Sequence, residues 1–373
     1  MAALYIHIPF CKKACHYCSF YFTLSTVKKA EFIKALCKEI ETRSLELIGQ
    51  SISSIYFGGG TPSLLSIQDL EKIFEAIKGN YSLESNTEIT IESNPENITA
   101  SYLSELKVLC INRLSIGVQS FSNPDLEIMN RNHNADQAIQ AIKMAKEKFD
   151  NVSLDLIFGL PFSGLKQWKN NLEQAIALGV DHISTYNLTV EEKTALARKV
   201  ARKELSVEPD NTLNEMYFYT IDYLERNKLI QYEISNFGKQ NHWSLHNISY
   251  WKQEPYLGFG PSAHSYSGKE RRWNVSNLKN YMEAIDQGEN YSESEVLSIE
   301  NKYNEYVMTR LRTIFGLGIE EIKTTFGKNF ENHFLSKIQE MQAQNWIHYE
   351  NNYFKLTTSG KVMADHIASE LMK

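Results

Sequence analysis

The sequence has no long hydrophobic run and little excess charge. Asp, Lys or Gly interrupts each apolar stretch well short of the ~20 residues that a membrane-spanning helix requires. The 39 Lys and Arg residues nearly balance the 45 Asp and Glu residues, which leaves a net charge of −6. This balance argues against a protein that binds nucleic acid or an anionic membrane through general electrostatic attraction. The N-terminal residues lack a basic flank followed by an apolar stretch, so we expect no secretion signal and a cytoplasmic protein.

Cysteine is scarce and odd in number. The five cysteines are Cys11, Cys15, Cys18, Cys37 and Cys110. An odd count in a reducing compartment argues against a disulfide framework, and a chain of 373 residues can bury a large core without one. Because Cys37 and Cys110 fall in helical patterns among apolar neighbours, we expect both in the core. The other three lie within eight residues of one another and are the first candidates for chemistry.

Short β-rich runs alternate with helical patterns over the first 200 residues. The candidate strands are Leu4–Ile8, Ser54–Phe57, Glu88–Glu92, Arg113–Val118, Ser153–Phe158 and His182–Leu188. The candidate helices between them include Val27–Ile48, Ile67–Lys78, Thr99–Leu109 and Asp136–Lys146. Six β-then-α units in series predict a parallel sheet with crossover helices, either doubly wound or an incomplete barrel. In both architectures ligands bind at the carboxyl ends of the strands.

The pattern changes after about residue 200. A helix over Asp210–Asn227 and a strand over Leu229–Ile234 precede an irregular stretch over 236–274. From about residue 300, helices, a hairpin and a final helix predict a winged-helix-like module. Its nine basic and nine acidic side chains do not predict DNA binding. We expect three parts: a barrel over 1–235, a connecting segment over 236–299 and a C-terminal winged-helix-like domain over 300–373.

The three clustered cysteines follow the first predicted strand directly. Cys11, Cys15 and Cys18 have the spacing Cys-x3-Cys-x2-Cys. Three thiolates on one loop can bind three corners of a cubane iron–sulfur cluster and leave the fourth iron open to a small molecule. A zinc site is the alternative, in which His16 or His7 would complete a tetrahedron. The spacing alone favours neither metal centre.

Polar or glycine-rich residues follow the next predicted strands. Gly58–Gly60 stand after the second strand, Glu92 ends the third and Gln119 follows the fourth. Glycines let the backbone approach a ligand closely, and the Glu92 carboxylate can accept hydrogen bonds from ribose hydroxyls. Since the carboxyl ends of parallel strands meet at one edge, we expect these residues to form one bowl-shaped site.

Two further residues complete a recognisable order of motifs. Tyr17 stands immediately before the third cysteine, and Arg131 follows Gln119 by twelve residues. The whole order resembles the radical S-adenosylmethionine (SAM) superfamily and, over nearly the whole chain, its oxygen-independent coproporphyrinogen III oxidase family. The resemblance implies an α/β fold with an incomplete (β/α)6 TIM-like barrel, in which the three cysteines bind a [4Fe–4S] cluster whose open iron binds SAM. It implies SAM contacts at Tyr5, Tyr17, Gly59, Gly60, Thr61, Glu92, Gln119, Arg131 and Asp155.

Two departures separate this chain from the oxidases proper of that family. Those enzymes carry a fourth cysteine two residues after the third, where this chain has Phe20, and a long N-terminal extension, where only ten residues precede Cys11. The segment from His246 to Trp251 instead resembles the heme-binding motif of the family's heme-chaperone branch. The resemblance implies that His246 binds heme iron, while Tyr250 and Trp251 pack on the porphyrin.

The heme assignment leaves alternatives among nearby residues. His242 and His264 are rival ligands for the iron, and Arg271 and Arg272 are candidates to bind the propionates. We expect a heme chaperone that delivers heme to heme-requiring proteins, among them membrane-bound respiratory enzymes. A reductant for the cluster and a homodimer are further expectations. The alternatives are a coproporphyrinogen III oxidase of porphyrin biosynthesis and a zinc-stabilised scaffold.

Overall fold

Six parallel strands form the centre of the fold. The computed structural model describes all 373 residues. The strands are β1 (Ala2–Ile8), β2 (Ile52–Gly59), β3 (Leu83–Ser93), β4 (Arg113–Gln119), β5 (Asn151–Phe158) and β6 (His182–Asn187). Each strand pairs in parallel with the next, so their carboxyl ends lie at one edge of the sheet. The six predicted strands are confirmed, with ends that differ by a few residues.

Helices connect these strands and pack against them. They are α1 (Lys29–Thr42), α2 (Ile67–Asn80), α3 (Ala100–Val108), α4 (Asn123–Ile128), α5 (Ala135–Lys148), α6 (Gly164–Ala177), α7 (Ala195–Ala201) and α8 (Asp210–Arg226). Their apolar faces and the strands share one continuous core. Capping sets several helix starts: Thr99 accepts a hydrogen bond at the start of α3, and Ser66 forms a capping box with Asp69 at the start of α2.

Residues 230–296 extend the same sheet at both edges. The elements are β7 (Ile230–Gln231), β8 (Asn236–Gly238), α9 (Leu245–Trp251), β9 (Tyr256–Phe259), β10 (His264–Tyr266), β11 (Glu270–Asn274), α10 (Leu278–Gln287) and β12 (Ser292–Val296). Strand β9 pairs in parallel with β1, and β10, β11 and β12 follow in antiparallel order. The stretch 236–274, expected to be irregular, contains four strands and a helix. These elements have only three to seven residues each, too few to give a clear periodicity in the sequence.

The sheet curves into a barrel but does not close. Side chains from all of β1 to β6 line one cavity on the concave face. Strand β1 pairs with β9, and β6 pairs with β8, so β1 and β6 do not pair with each other. The predicted incomplete barrel is therefore confirmed, and the doubly wound alternative is wrong.

A buried carboxylate joins α1 to the added strands. Glu39 of α1 is fully buried, and its oxygens accept hydrogen bonds from Gly260 N–H (2.8 Å), the Tyr281 hydroxyl (2.6 Å) and the Asn274 side-chain amide (2.8 Å). Arg43 also donates to it at 3.1 Å. A buried carboxylate is tolerated only when its lone pairs find donors, so this network holds α1 and the added strands in one arrangement.

The C-terminal part has its own core and its own sheet. Its elements are α11 (Ile299–Leu311), β13 (Leu317–Gly318), α12 (Ile319–Phe326), α13 (Lys328–Ala343), β14 (Ile347–Glu350), β15 (Tyr353–Leu356), α14 (Thr358–Lys361) and α15 (Ala364–Leu371). The three strands are antiparallel in the order β13–β15–β14. Asn351 and Asn352 adopt φ of 49° and 70° in the predicted hairpin turn. Helices with a small antiparallel sheet agree with the expected winged-helix-like module. Across the whole chain, no helix is both long and apolar enough to span a bilayer.

Candidate functional site

The cysteine loop, residues 11–18, follows β1 at the carboxyl edge of the sheet. The Cys11 N–H donates to the Thr23 carbonyl (3.0 Å), which joins the start of the loop to the chain that leaves it. The His16 N–H donates to the Met129 carbonyl just after α4 (3.0 Å). The backbone of the loop is therefore fixed by the protein itself.

The three cysteine thiols are half-buried and receive few hydrogen bonds. Cys11 Sγ accepts from the Thr61 hydroxyl at 3.6 Å, and Cys15 Sγ accepts from Arg131 Nη1 at 3.4 Å. Burial raises the pKa of Cys11 to about 11, although the Thr61 hydrogen bond opposes the rise, and burial also raises the pKa of Cys18. A metal centre that binds these thiolates must therefore displace their protons.

The donors around the loop fit a cluster better than a single zinc ion. No three His, Cys, Asp or Glu side chains in the structure are close enough to bind one metal ion. Tetrahedral zinc would need a fourth protein ligand beside the three thiolates. His16 and His7, the candidate fourth zinc ligands, bind backbone carbonyls instead: His16 Nδ1 lies 2.7 Å from Ile128 O, and His7 Nε2 lies 3.2 Å from Tyr21 O. Three thiols on one loop can bind three corners of a cubane cluster.

Arg131 connects the loop to two strand ends. Its Nη2 donates to Asn94 Oδ1 just after β3 (2.7 Å) and to the Gly117 carbonyl in β4 (2.6 Å). Its Nη1 lies 3.4 Å from both Cys15 Sγ and the Tyr17 hydroxyl. The Nε donor is buried without any protein partner. Arg131 therefore positions the loop and retains one donor beside the expected ligand.

The glycine turn after β2 brings that strand against the cysteine loop. The Gly60 N–H donates to the Ile8 carbonyl (2.7 Å). A Cβ on Gly60 would lie 2.7 Å from the Phe10 carbonyl and 3.1 Å from Cys11 Sγ, so a larger residue would separate the turn from the loop. Gly59 adopts φ of 103°, a conformation that favours glycine.

A cavity of about 200 Å³ on the concave face holds three of the expected SAM residues. Its lining comprises Tyr5, Tyr56, Glu92, Arg113, Ser115, Asp155, Ser184, Tyr186, His246, Asn247 and Tyr250. Burial, followed by the nearby Asp155 charge, raises the pKa of Glu92 to about 8, although the Tyr56 hydroxyl donates to Glu92 at 2.8 Å. Burial also raises the pKa of Asp155. Two carboxyl groups in this environment are suited to a ligand with cationic or hydroxyl groups.

Gln119 lies between the cavity strands and the cysteine loop. It adopts a left-handed conformation (φ 68°), where the register between β4 and β5 shifts. A Cβ on Gly117 would lie 3.0 Å from Gln119 Nε2 and 3.3 Å from Arg131 Nη2, so both side chains flank that glycine. The structure thus groups Tyr17, Thr61, Gln119 and Arg131 around the loop, and Tyr5, Glu92 and Asp155 in the cavity.

Several cavity residues were not predicted. They are Tyr56, Arg113, Ser115, Ser184 and Tyr186. Along a strand every second side chain points to the same face, so Arg113 and Ser115 share the cavity face of β4, and Ser184 and Tyr186 share that of β6. The alternation along β4 and β6 is the sequence signal that would have grouped these four residues on one face.

His246 of the expected heme motif lies inside the barrel. Its Nδ1 is 3.0 Å from Ser54 Oγ and its Nε2 is 2.8 Å from the Tyr250 hydroxyl, and its ring stacks on Tyr56 at 5.0 Å. Burial, with the Arg113 charge as a further cause, lowers the pKa of His246 to about 3. Neither ring nitrogen is free in this arrangement, so heme iron would have to displace Tyr250. That His246 binds heme stays a prediction.

The other expected heme residues are separated in the fold. Trp251 is half-buried at the end of α9. The neighbouring Arg271 and Arg272 lie on opposite faces of β11, where Arg271 binds Glu305 and Arg272 binds Glu46, each at 2.9 Å. The two arginines therefore cannot serve one ligand together.

The two cysteines outside the loop differ from each other. Cys37 is partly buried and packs against the main core, whereas Cys110 is exposed. The prediction that Cys110 is a core residue is wrong. Cys110 follows the end of α3 and adopts φ of 66°, which takes it out of the helical pattern that the sequence suggested.

Comparison with known proteins places this site in a family. Residues 5–175 match the radical SAM superfamily, and residues 297–363 match the HemN C-terminal domain. A solved structure of the coproporphyrinogen III oxidase HemN from Escherichia coli covers 100% of this chain and 90% of its own, with a TM-score of 0.86 and 23% identity. The chain has the fold and the cysteine loop of a radical SAM protein.

Curated relatives give a closer relationship. The chain is 34% identical to heme chaperone HemW of Bacillus subtilis over 372 residues, 98% of each protein. It is 31% identical to heme chaperone HemW of Lactococcus lactis over 370 residues, 99% of this chain and 96% of that protein. Within the radical SAM superfamily, the chain therefore belongs to the HemW family.

The raised pKa of Glu92 predicts a pH dependence of stability. Between the pKa of an unfolded glutamate and about 8, the native protein holds a proton that the unfolded chain has released. The free energy of unfolding contributed by this group is therefore fully present at low pH and is lost as pH rises toward 8, by at most about 1.4 kcal/mol per pH unit. Replacing Glu92 by Gln should flatten this decline.

Urea unfolding of wild type and Glu92→Gln at about pH 5.5 and about pH 8 measures the effect. The exposed Glu191→Gln is the matched control and should follow wild type. Parallel pH profiles for wild type and Glu92→Gln would contradict the assignment.

Proposed function

We propose that this protein is a heme chaperone of the HemW type. It binds a [4Fe–4S] cluster, SAM and heme, and it delivers heme to heme-requiring proteins. The observation that carries the proposal is the similarity to HemW proteins over nearly the whole chain, from the cysteine loop to the C-terminal module. The cysteine loop and the carboxylate-lined cavity support the cofactor part of the proposal.

Cys11, Cys15 and Cys18 hold the cluster, and no fourth protein ligand completes it. The position two residues after Cys18 is Phe20, which cannot ligate iron and is 70% exposed. A reduced cluster supplies, when bound, one electron to the sulfonium of a SAM molecule on its open iron. The protein's part is to fix the loop through Arg131 and to exclude bulk water around the thiols.

SAM binds where the loop meets the cavity. Glu92 and Asp155 accept hydrogen bonds from hydroxyl or ammonium groups of the ligand. Burial raises the pKa of both carboxyl groups, and a cationic ligand would favour the charged carboxylate form of each. The glycine turn at Gly59 and Gly60 lets the backbone approach the ligand, as in other nucleotide sites. Arg131 Nε supplies a donor for a carboxylate.

The partners belong to the same proposal. Heme acceptors, among them membrane-bound respiratory enzymes, take the heme, and a separate reductant supplies electrons to the cluster. A cytoplasmic location and a homodimeric state complete it. Nucleic acid is not a partner, since the net charge of −6 gives no electrostatic attraction to phosphates.

Cysteine substitutions test the cluster. Cys11→Ser, Cys15→Ser and Cys18→Ser should each lose most bound iron and sulfide after anaerobic reconstitution, because a serine hydroxyl is a poor ligand for a cluster that thiolates hold. Cys37→Ser and Cys110→Ser are matched controls and should keep wild-type iron and sulfide. Zinc without iron or sulfide in the wild-type protein would remove the cluster from the account.

A paired assay tests the chaperone function against the oxidase. The reconstituted protein, with SAM and reductant, is incubated anaerobically with coproporphyrinogen III, and heme binding is titrated separately by absorbance. We expect heme binding without porphyrinogen decarboxylation. Turnover of the porphyrinogen, with release of CO₂, would contradict the chaperone proposal and establish the oxidase.

A further inference from the structure

The cysteine loop carries positive charge without nearby acids in the sequence. Lys12 and Lys13 stand between the first two cysteines, and both are exposed. The chain has no acidic residue before Glu31, although its net charge is −6. Lys13 Nζ donates to the Arg131 carbonyl at 3.3 Å, which neutralises no charge. The loop that would hold the cluster is therefore positive in an otherwise acidic protein.

Helix α7 adds further cations beside the loop. The Leu196 N–H donates to the His16 carbonyl at 2.8 Å, and Leu196 lines one small apolar pocket with His16 and Tyr17. These contacts hold α7 against the cysteine loop. From Lys193 to Lys203 the chain contains five basic residues and no acidic one. The exposed cations of this stretch and of the loop, which we call the basic rim, are Lys12, Lys13, Lys193, Arg198, Arg202 and Lys203.

The basic rim is available to a partner and is bounded by acids. Arg202 is its one member with an ion pair, to Glu204 at 3.8 Å, and both side chains are largely exposed. Such exposed pairs contribute little and exchange readily. The exposed acids around the rim are Glu127, Glu191, Glu192 and Glu204. A compact acidic protein fits this bounded surface better than a continuous polyphosphate or a membrane, which would also meet those carboxylates.

An exposed aromatic side chain lies beside the basic rim. Phe162 follows β5 and is 73% exposed. Leu160, two residues earlier, lines the same apolar pocket as Leu196 of α7, which places Phe162 near the rim. The φ of Phe162 is 65°, a conformation that costs free energy for a bulky residue. A protein interface needs an apolar anchor within its charged surround, and Phe162 supplies one.

We propose that the basic rim and Phe162 are the docking surface for a small acidic protein that carries a one-electron donor. This inference rests on the proposed function, because it names the class of partner that reduces the cluster. One electron passes to the cluster, and the reduced carrier is thereby oxidised by one electron. The surface is positive and adjoins the three thiols, where the electron must arrive. Since electron-transfer complexes are small and transient, a few exposed cations and one aromatic anchor are sufficient.

Binding to the anaerobically reconstituted full-length protein tests the surface. The probes are two small acidic electron-transfer proteins, a flavodoxin with FMN and a plant-type [2Fe–2S] ferredoxin. Calorimetry at low ionic strength gives the Kd for wild type, for Arg198→Glu/Lys203→Glu and for the control Lys78→Glu/Lys148→Glu. The first variant reverses two rim charges and leaves the neighbours of the cysteines unchanged. The control reverses two exposed lysines at the ends of α2 and α5, near the amino edge of the sheet.

Charge reversal on the rim should weaken the complex. Arg198→Glu/Lys203→Glu should raise the Kd of the probe that binds wild type by at least about tenfold, because attractive pairs become repulsive. The difference should shrink as NaCl is raised to about 0.5 M, since salt screens exposed charges. The rate of cluster reduction by limiting reduced probe, followed by absorbance, should fall in parallel, whereas the extent of reduction by dithionite should not change. The control should keep the wild-type Kd and rate.

The aromatic anchor has its own variant. Phe162→Ala should weaken binding by about fivefold at every salt concentration, because it removes an apolar contact and no charge. Val108→Ala is the matched control, since Val108 is an exposed apolar residue at the end of α3. It should bind the probe as wild type does.

The outcomes separate this inference from the proposed function. A wild-type Kd in Arg198→Glu/Lys203→Glu, with unchanged iron and sulfide, would overturn the docking surface and leave the proposed function intact. Wild-type protein that binds neither probe would overturn it as well. So would binding of phosphatidylglycerol vesicles or duplex DNA in place of the probes, since the partner would then be a lipid or a nucleic acid. Wild-type protein that takes up no iron or sulfide would overturn the cluster part of the proposed function, and this inference with it.

Discussion

The guanidinium of Arg131 is the interaction on which the candidate site depends. It donates to Asn94 after β3 and to the Gly117 carbonyl in β4, and it lies 3.4 Å from Cys15 Sγ. One charged group thus fixes the cysteine loop against two other strand ends. Because a buried guanidinium is costly unless it finds acceptors, the two Nη2 hydrogen bonds hold the segment after β3 and strand β4 against the loop. Its positive charge also stabilises the negative charge of the cysteine thiolates in the loop.

The sequence predicted the central strands well and the added strands poorly, for a physical reason. Strands β1 to β6 have six to eleven residues with apolar cores and clear breaks, so period and composition both identify them. Strands β9 to β11 have three to five residues, and their identity comes from pairing with β1 and with each other. Such pairing is non-local and leaves no local pattern. The prediction that Cys110 lies in the core was wrong for a related reason: helix α3 ends two residues before it.

The site residues follow the same division. Residues at strand ends, such as Glu92 and Gln119, were predicted because a polar residue after an apolar run is visible in the sequence, whereas Arg131, in the segment after α4, was assigned from the family resemblance. The position of His246 could not be predicted, because its environment depends on how α9 packs against β1 and β2. Glu88 of β3 accepts hydrogen bonds from the N–H groups of Leu245 and His246, and this contact places the imidazole inside the barrel. The six-residue segment from His246 to Trp251 does not by itself show on which side of the sheet it lies.

The open barrel leaves its cavity bordered by the strands added at both edges. Since β1 pairs with β9 instead of β6, the concave face continues from the carboxylate-lined cavity onto β9. The most direct test of the account is transfer of heme from the reconstituted, heme-loaded protein to an apo b-type cytochrome, followed by absorbance. The account predicts transfer whose rate rises and saturates with acceptor concentration, which indicates a complex between the two proteins. A rate that is independent of acceptor, equal to simple heme dissociation, would contradict a chaperone.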